Sequence, residues 1–328
     1  MKLAVHISFF YRNQNKSDRW ASANTKFPYL KKIIEEYNKY PLEVDIYIHT
    51  NRLFDLNRID YSPYKNGKVS LVKHNLFKYS LFKGKNYYLT WASRKLLSLQ
   101  RNQYDFFLYQ EDDIFIPKNT FIYWLNNKDE CLNNNSNLGF LRIEIKNDEE
   151  YISDLTEKLT KEKYINGNKY IINDINPYCA FWIYDKKEFN NFIKTKFYNF
   201  NWRLISISNI LLIREMSAVG WHGENMNGLS MSRYLATIVP FQNDKLDKGS
   251  LTRHLSDNYA NAPQGLFGTL KISQISHNNL DKFSPSTLFT RFIKRISYIA
   301  YHLFRFNLKR YFKKDNLHKD LRSGLFFK

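Results

Sequence analysis

The sequence predicts an α/β fold in which a mixed, mostly parallel sheet is flanked by helices. Apolar runs of strand length alternate with segments of helical periodicity along the first third of the chain, an order typical of a parallel sheet covered by helices. The run at residues 104–110 leads directly into three consecutive acids. Because ligands bind at the carboxyl ends of the strands in such sheets, this acidic edge is the predicted functional site.

The individual elements follow from apolar patterning. Residues 3–10 form an apolar run rich in β-branched and aromatic side chains, which predicts a buried strand. From Pro28 onward the apolar residues recur at helical spacing, which predicts a helix, and this helix is expected to end before Pro41. The predicted elements are, in order, strand 3–10, helix 28–40, strand 44–49, strand 69–72, helix 87–99 and strand 104–110. In the second helix the residues predicted to be buried are Leu89, Ala92, Leu96, Leu97 and Leu99.

Composition places the chain among globular proteins. It has 328 residues, of which 43% are apolar and 25% charged, and these values exclude the disordered and collagenous classes. The two cysteines, Cys131 and Cys179, are too few for a disulfide framework, and we expect both to be free, buried thiols. A single bridge between them is the alternative. Residues 133–137, rich in Asn, are predicted to form a surface loop, and the lysine-rich segment 148–170 an exposed insertion.

Basic charge is concentrated toward the C-terminal end. The chain has 50 Lys and Arg against 31 Asp and Glu, a formal net charge of +19, and residues 291–328 contain eleven basic and two acidic residues. Apolar and basic side chains there follow different helical faces, which predicts an amphipathic basic helix. Such a helix binds an anionic membrane surface, here through residues 286–314. We therefore predict a basic amphipathic membrane-associating tail at 281–328. Packing of this helix on the body of the protein is the alternative.

Two further features bear on location and partners. No run of about 18 apolar residues occurs that would span a bilayer, and the first residues lack the apolar core of a secretory signal. We expect a cytoplasmic protein associated peripherally with the inner face of a membrane. Arginines interleaved with aromatic residues also occur in nucleic-acid-binding proteins. Nothing outside the tail supports that class, and nucleic acid is not an expected partner.

The acidic triplet Glu111, Asp112 and Asp113 is the strongest chemical signal in the chain. Mutual repulsion and partial burial would raise the pKa values of three adjacent carboxyl groups and destabilise the fold unless a cation compensates. A divalent metal, which prefers oxygen ligands, supplies that compensation. A solvated turn after a strand is the alternative interpretation.

Residues 109–113, Tyr-Gln-Glu-Asp-Asp, resemble the acidic motif of the metal-dependent nucleotide-sugar glycosyltransferases of the GT-A fold. In that family a motif of the Asp-x-Asp type, including Glu-Asp-Asp variants, ends a central strand and binds Mn²⁺ or Mg²⁺ on the donor diphosphate. The resemblance implies that Asp113 ligates the metal directly. It implies that Glu111 or Asp112 reaches the donor ribose, the sugar or a metal-bound water, and Glu111 is also a predicted residue of the metal site.

The same resemblance implies a domain organisation. Residues 1–280 would form the GT-A catalytic domain, with a Rossmann-like half that binds the nucleotide sugar at 1–118 and a half that binds the acceptor at 119–280. The tail at 281–328 follows this domain.

Residues 220–225, Gly-Trp-His-Gly-Glu-Asn, partly resemble the Trp-Gly-Gly-Glu-Asp acceptor loop of inverting β-1,4-galactosyltransferases. In that family the final Asp is the catalytic base, whereas an amide at Asn225 has no basic oxygen for this role. Glu224 therefore becomes the predicted base, and Trp221 and His222 the predicted acceptor contacts. A core aromatic is the alternative role for Trp221.

A second late segment, residues 251–259, places His254 beside Arg253. In many GT-A enzymes a His well after the acidic motif completes the metal shell, and the resemblance assigns that role to His254. Arg253 is a predicted phosphate contact of the donor, and Asp257 is a second candidate for the base.

The first two strands end in further polar residues. His6, Ser8 and Arg12 flank the exit of the first strand, and Thr50 ends the second. Enzymes of the GT-A fold hold the nucleotide there, so the resemblance implies donor contacts for these four residues. Arg142 and Glu144 are predicted to lie on a strand beside the acidic motif.

These features together predict transfer of a hexose or N-acetylhexosamine from a UDP- or GDP-sugar, assisted by Mn²⁺ or Mg²⁺. The acceptor would be a hydroxyl of a bacterial cell-surface glycan or lipid-linked saccharide. One alternative is a nucleotidyltransferase that makes a nucleotide sugar, although the Gly-rich loop usual in that class is missing after the first strand. The other is a non-enzymatic protein that binds polyanions.

Overall fold

The structure is a computed structural model that describes residues 1–12, 22–76, 88–155, 158–173, 175–195, 197–199, 213–220, 236–242, 245–262 and 267–275. Within these ranges no helix has the length and apolar character needed to cross a membrane.

The α-helices in these ranges are α1 (Ala23–Tyr37), α2 (Leu89–Ala92), α3 (Arg94–Gln100), α4 (Lys118–Asn133), α5 (Lys186–Phe192) and α6 (Ile213–Ser217). The strands are β1 (Lys2–Phe9), β2 (Glu43–Thr50), β3 (Val69–Lys73), β4 (Phe106–Glu111), β5 (Ile114–Phe115), β6 (Ser136–Leu138), β7 (Leu141–Lys146), β8 (Glu149–Ile152), β9 (Lys161–Ile165), β10 (Asn168–Ile172), β11 (Phe181–Asp185), β12 (Ala236–Gln242), β13 (Lys245–Leu246), β14 (Leu251–His254) and β15 (Leu270–Lys271).

The central sheet has the strand order β11-β4-β1-β2-β3. Its pairs β4-β1, β1-β2 and β2-β3 are parallel, and β11 runs antiparallel to β4. The predicted mixed α/β architecture with a mostly parallel sheet is thus confirmed for this part of the chain. Because β11 comes from the predicted acceptor half, the two halves share one sheet.

Strand β4 lies between two helical layers. On one face Phe106 packs edge-on against Phe121 and Trp124 of α4, with ring centroids 5.6 and 5.8 Å apart. On the other face Phe107 stacks on Phe189 of α5, with centroids 4.1 Å apart. Successive side chains of a strand point to opposite faces, so an unbroken apolar run fits a strand that is covered on both sides.

Two smaller sheets, which the sequence did not predict, complete the described fold. One has the order β15-β8-β7-β14-β5, and the other the order β13-β12-β10-β9 with β6 paired to β12. Most of their pairings are antiparallel. The first of these sheets lies next to the acidic triplet, because its strand β5 begins at Ile114, directly after the triplet.

The prediction of an exposed insertion at residues 148–170 is wrong. This segment contains β8, β9 and the start of β10, and its buried residues include Ile152, Leu155 and Tyr170. Asn166 and Gly167 have positive φ angles of 49° and 81° and connect β9 to β10 in a tight hairpin. An Asn-Gly pair between short strands is a strong hairpin signal, and the lysine content of the segment masked it.

Smaller corrections concern loops and helix ends. The predicted loop at 133–137 ends in β6, whose residues are buried, because β6 pairs with β12. Helix α1 begins at Ala23, five residues earlier than predicted, because Ser22 accepts a hydrogen bond from the backbone of Thr25 and caps it. The predicted helix 87–99 is divided into α2 and α3, and Leu99 is 67% exposed rather than buried.

The cysteine prediction is confirmed. Cys131 and Cys179 are both free and both buried. Burial raises the pKa of each thiol to about 12, so neither is a reactive thiolate at neutral pH.

The first residues of α5 carry a carboxyl group that titrates near neutrality. Asp185 accepts a hydrogen bond from the backbone of Glu188, and the Glu188 carboxylate accepts one in return from the backbone of Asp185. Burial, reinforced by the negative charge of Asp185, raises the pKa of Glu188 to about 7. Because this pKa lies above that of an unfolded Glu, native stability is expected to fall as the pH rises from about 4.5 to about 7.

Replacing Glu188 with Gln is therefore expected to remove this loss of stability. The amide oxygen of Gln still accepts the hydrogen bond from the backbone of Asp185, so Glu188→Gln should exceed wild type in unfolding free energy at pH 8 by about 3 kcal/mol. Urea unfolding at pH 5 and pH 8 measures how the free energy of unfolding changes with pH for wild type and for Glu188→Gln. Glu150→Gln, at an exposed position, is the control. A Glu188→Gln variant with the same pH dependence as wild type would contradict this assignment.

Candidate functional site

The acidic triplet lies where the central sheet meets one of the smaller sheets. Glu111 is the last residue of β4, Asp112 and Asp113 form the turn, and Ile114 begins β5. Glu111 and Asp112 are buried, whereas the side chain of Asp113 is about one-fifth exposed. The predicted edge of the sheet therefore does carry the acids, and Asp113 is the acid most accessible from outside.

Strand β14 brings His254 to Asp113. His254 pairs with Ile114 in the antiparallel β14-β5 ladder, and the backbone N–H of Leu255 donates to the carbonyl of Asp113 at 2.8 Å. The imidazole Nε2 of His254 consequently lies 3.3 Å from the Oδ2 of Asp113. Although burial opposes both shifts, mutual attraction holds the pKa of Asp113 below its usual range and raises the pKa of His254.

Glu144 contacts the opposite side of the same imidazole. It lies on β7, which pairs in parallel with β14, and its side chain is fully buried. One carboxylate oxygen accepts hydrogen bonds from the backbone N–H groups of Tyr259 and Ala260 at 2.8 and 2.6 Å. The other oxygen is bonded to Nδ1 of His254. The sequence prediction placed Glu144 beside the motif but did not indicate this partner.

Lys26 of α1 contacts the middle acid of the triplet. Its ammonium group donates to both carboxylate oxygens of Asp112, at 2.6 and 2.7 Å. Burial raises the pKa of Asp112 to about 6, although the charge of Lys26 opposes that shift. The sequence analysis missed Lys26, because a single lysine in a helix that begins earlier than predicted carries no recognisable signal.

Glu111 is bound by two residues that were also missed. The hydroxyl of Tyr178 donates to one of its oxygens at 3.0 Å, and Nε of Arg214 lies 3.6 Å from the other. Attraction to Glu111 raises the pKa of Arg214, although burial opposes the shift. Arg214 belongs to α6, so this short helix supplies a second cation to the acidic edge.

Arg142 forms a buried ion pair behind the site. Its guanidinium group donates to both oxygens of Asp154 at 2.8 and 2.6 Å. The rings of Tyr178 and Tyr259 lie 5.2 and 5.7 Å from the guanidinium carbon. The pair is buried, with Arg142 4% and Asp154 7% exposed, so it supports the site without reaching its surface.

Arg253 and Asp257 flank His254 in the chain and pair with each other. The guanidinium group of Arg253 donates to Asp257 at 2.7 Å, and the other oxygen of Asp257 accepts from the backbone N–H of Ile145 at 2.9 Å. Their side chains are 29% and 25% exposed. Within this segment it is the side chain of His254 that contacts the acidic triplet, and the predicted roles of Arg253 and Asp257 stay predictions.

The predicted donor contacts on the first two strands lie mostly in the core. His6 is fully buried and bonded through Nδ1 to His49 at 2.8 Å, and Ser8 is bonded to the hydroxyl of Tyr109 at 3.0 Å. Thr50 is also fully buried and donates to the carbonyl of Arg52. His6 and Ser8 therefore have partners in the core, whereas the partner of Thr50 is the backbone two residues further along the chain.

Arg12 lies at the end of the described N-terminal segment. Its guanidinium carbon is 5.0 Å from the centre of the Phe10 ring. Its predicted role in donor binding stays a prediction.

The predicted acceptor loop and tail lie outside the described residues. Trp221, His222 and Glu224 belong to residues 221–235, and the predicted membrane-binding segment is 286–314. Their roles stay predictions from the sequence.

Two residues at this edge fit a divalent cation. Within the described residues, no three His, Cys, Asp or Glu side chains form a metal-binding cluster. However, the Oδ1 atom of Asp113 is buried and has no hydrogen-bond partner there, and Nε2 of His254 faces the other oxygen. A carboxylate with an imidazole is a ligand pair that suits Mn²⁺. The remaining ligands would have to come from a bound molecule and from water.

Comparison with known proteins gives limited similarity. No protein-family model and no curated protein matches the chain. Among solved structures, the chain is similar to S. aureus TarS, with a TM-score of 0.34 and 13% identity over 72% of this chain and 35% of that chain. It is also similar to S. aureus TarS 1-349, with a TM-score of 0.37 and 13% identity over 91% of this chain and 80% of that chain. The chain thus spans about a third of the longer TarS structure.

Proposed function

We propose that this chain is a metal-assisted glycosyltransferase that transfers a sugar from a nucleotide-diphosphate donor to a hydroxyl of a glycan. The observation that carries the proposal is the placement of Asp113 and His254 3.3 Å apart at the acidic edge of the sheet. The resemblance assigned both residues to one metal site, and their proximity in the structure supports that assignment.

Asp113 and His254 are the residues that would hold Mn²⁺ or Mg²⁺. When bound, the ion stabilises the negative charge of the departing nucleoside diphosphate. Glu111 was also a predicted contributor to the metal site. Both of its oxygens already face Tyr178 and Arg214, so we leave Glu111 out of the proposed metal shell. Its proposed contact with the donor, like that of Asp112, rests on the family resemblance.

The cations around the acids are suited to phosphate oxygens. Lys26, Arg214 and Arg253 lie against Asp112, Glu111 and Asp257 respectively. Each carboxylate holds its cation in one orientation, and an oriented cation loses less conformational entropy when it binds a diphosphate. We propose that these three residues, with Arg12, contact the donor.

The acceptor side of the proposal rests on the sequence. Trp221 and His222 are the proposed acceptor contacts, and Glu224 or Asp257 is the proposed base that deprotonates the attacking hydroxyl. The basic segment 286–314 favours an acceptor at an anionic membrane, such as a lipid-linked saccharide.

A donor panel tests this function. The purified protein is incubated with UDP-sugars and with GDP-sugars, with Mn²⁺ or with EDTA, in the presence of acceptor saccharides. Release of the nucleoside diphosphate, as the sugar is transferred to an acceptor hydroxyl or to water, is measured. We expect metal-dependent release from the sugars of one nucleotide. Release that is unaffected by EDTA would contradict the metal assistance. No release from any donor, by a folded protein, would contradict the function.

The two base candidates are separated by isosteric variants. If Glu224 is the base, Glu224→Gln should lower acceptor-dependent turnover by about 100-fold or more, while Asp257→Asn has a much smaller effect. Glu224→Gln should keep wild-type affinity for the donor nucleotide, because Glu224 neither contacts the donor in this proposal nor holds a donor contact. Asp257→Asn should weaken that affinity, because Asp257 orients the proposed donor contact Arg253. Transfer to an acceptor saccharide is therefore measured at saturating donor, with the nucleotide affinity of each variant determined separately. Wild-type transfer by both variants would exclude both candidates.

A further inference from the structure

We propose that Glu144 is a positioning residue that fixes His254 in the orientation and tautomer of a metal ligand. This inference rests on the proposed function, because it concerns the proposed metal site. Glu144 does not contact the ion. It acts through the imidazole ring.

Three neighbouring strands place the participating side chains in a row. In the ladders of β14, His254 pairs with Ile114 on one side, and Arg253 pairs with Ile143 on the other. Asp113 directly precedes Ile114, and Glu144 directly follows Ile143. The imidazole of His254 therefore lies between two carboxylates that come from distant parts of the chain.

The carboxylate of Glu144 is held by groups that can only donate. The backbone N–H groups of Tyr259 and Ala260 both donate to Oε2, at 2.8 and 2.6 Å. The remaining oxygen, Oε1, is bonded to Nδ1 of His254. Because an ionised carboxylate only accepts hydrogen bonds, the proton in this contact belongs to Nδ1.

The backbone turn that binds Glu144 is itself tightly packed. Gly268 has a φ angle of +73°, and a Cβ atom at this position would lie 2.5 Å from the backbone nitrogen of Ala260. Only a residue without a side chain permits that approach. The turn is thus supported from behind by a second segment of chain, so Glu144 has little freedom to move.

A proton on Nδ1 leaves Nε2 of His254 to face the acidic edge. Nε2 lies 3.3 Å from Oδ2 of Asp113, whose Oδ1 is buried without a hydrogen-bond partner in the described residues. A carboxylate that accepts from the distal nitrogen of a ligating His fixes the ring and increases its basicity. In the structure Nε2 also lies 2.9 Å from the hydroxyl of Ser256, and ligation of an ion by Nε2 would replace that contact.

The first test is the Mn²⁺ affinity of Glu144→Gln. Free Mn²⁺ is measured by electron paramagnetic resonance in the presence of whichever of UDP and GDP the wild type binds. We expect the dissociation constant for Mn²⁺ to rise about 10- to 100-fold. Glu150→Gln, at an exposed position on the neighbouring strand β8, is the matched control and should bind Mn²⁺ like wild type.

A double variant shows whether Glu144 acts through the imidazole. In a His254→Ala background, Glu144→Gln should change the Mn²⁺ dissociation constant by less than about threefold, because the ring on which Glu144 acts is gone. A full 10-fold effect in that background would overturn the proposal, as would wild-type affinity in the single variant. If wild type binds UDP or GDP but no Mn²⁺, the proposed metal site fails and this inference fails with it.

A measurement on the wild-type protein covers the case in which Glu144→Gln does not fold. With ¹⁵N-labelled histidine and Cd²⁺ as a diamagnetic substitute ion, long-range ¹H–¹⁵N spectra report which ring nitrogen of His254 binds the metal. We expect the metal-induced shift at Nε2 and a retained proton at Nδ1. A metal-induced shift at Nδ1 would overturn the proposal.

Discussion

Asp113→Asn is expected to lower the rate of metal-dependent nucleoside diphosphate release by about 1000-fold, which corresponds to about 4 kcal/mol of transition-state stabilisation. Asp113 is the exposed member of the acidic triplet, and it faces His254 with one oxygen while the other has no hydrogen-bond partner in the described residues. An amide of the same shape removes the negative charge that would attract the ion. Initial rates at saturating donor, measured over a range of Mn²⁺ concentrations, separate a loss of affinity from a loss of turnover.

The fold of this variant should be retained. His254 keeps its contact with Glu144, and although loss of the attraction between Asp113 and His254 lowers stability, the rest of the buried network at the acidic edge is unchanged. Asp129→Asn is a suitable control, since the side chain of Asp129 is 75% exposed. An Asp113→Asn variant that folds and retains more than a tenth of the wild-type rate would contradict the proposed role.

Arg142→Met is expected to lower the free energy of unfolding by about 3–5 kcal/mol. Arg142 is 4% exposed and bound through two nitrogens to Asp154. Replacing it with an apolar side chain leaves a buried carboxylate without its counter-ion. The packing of the guanidinium group against Tyr178 and Tyr259 is lost as well. Urea unfolding at pH 7 measures the change.

A double variant and an exposed pair are the controls. Arg142→Met combined with Asp154→Leu should recover most of the lost stability, because no buried charge then lacks a partner. Lys31→Met should cost less than about 1 kcal/mol, since Lys31 pairs with Asp60 at the surface, where the side chains are 39% and 90% exposed. A loss of less than 1 kcal/mol in Arg142→Met would contradict the view that this ion pair supports the site.

The parallel sheet and its acidic edge were predictable because they depend on local patterns. Each buried strand in the first third of the chain is an apolar run in the sequence, and the acids at 111–113 directly follow the last of these runs. The smaller sheets were missed, because lysines between residues 148 and 170 obscured an Asn-Gly hairpin and its short strands. Strand pairing between distant segments leaves no local signal.

The candidate site was predicted only in part, because its contacts depend on the pairing of strands from distant parts of the chain. His254 was placed near the acids through the family resemblance, whereas its contact with Glu144 depends on the β7-β14 pairing. Lys26 reaches Asp112 from a helix whose start was misplaced. His6 lies near a strand end, but the sequence did not show that its side chain is buried against His49.

Metal-dependent donor binding is tested most directly by a calorimetric titration of UDP and of GDP into the protein, with and without Mn²⁺. We expect one nucleotide to bind wild type more tightly with Mn²⁺ present, and Asp113→Asn to lose this enhancement while remaining folded. Binding of neither nucleotide by the folded wild-type protein, or binding that Mn²⁺ and Asp113→Asn leave unchanged, would contradict a metal-assisted glycosyltransferase.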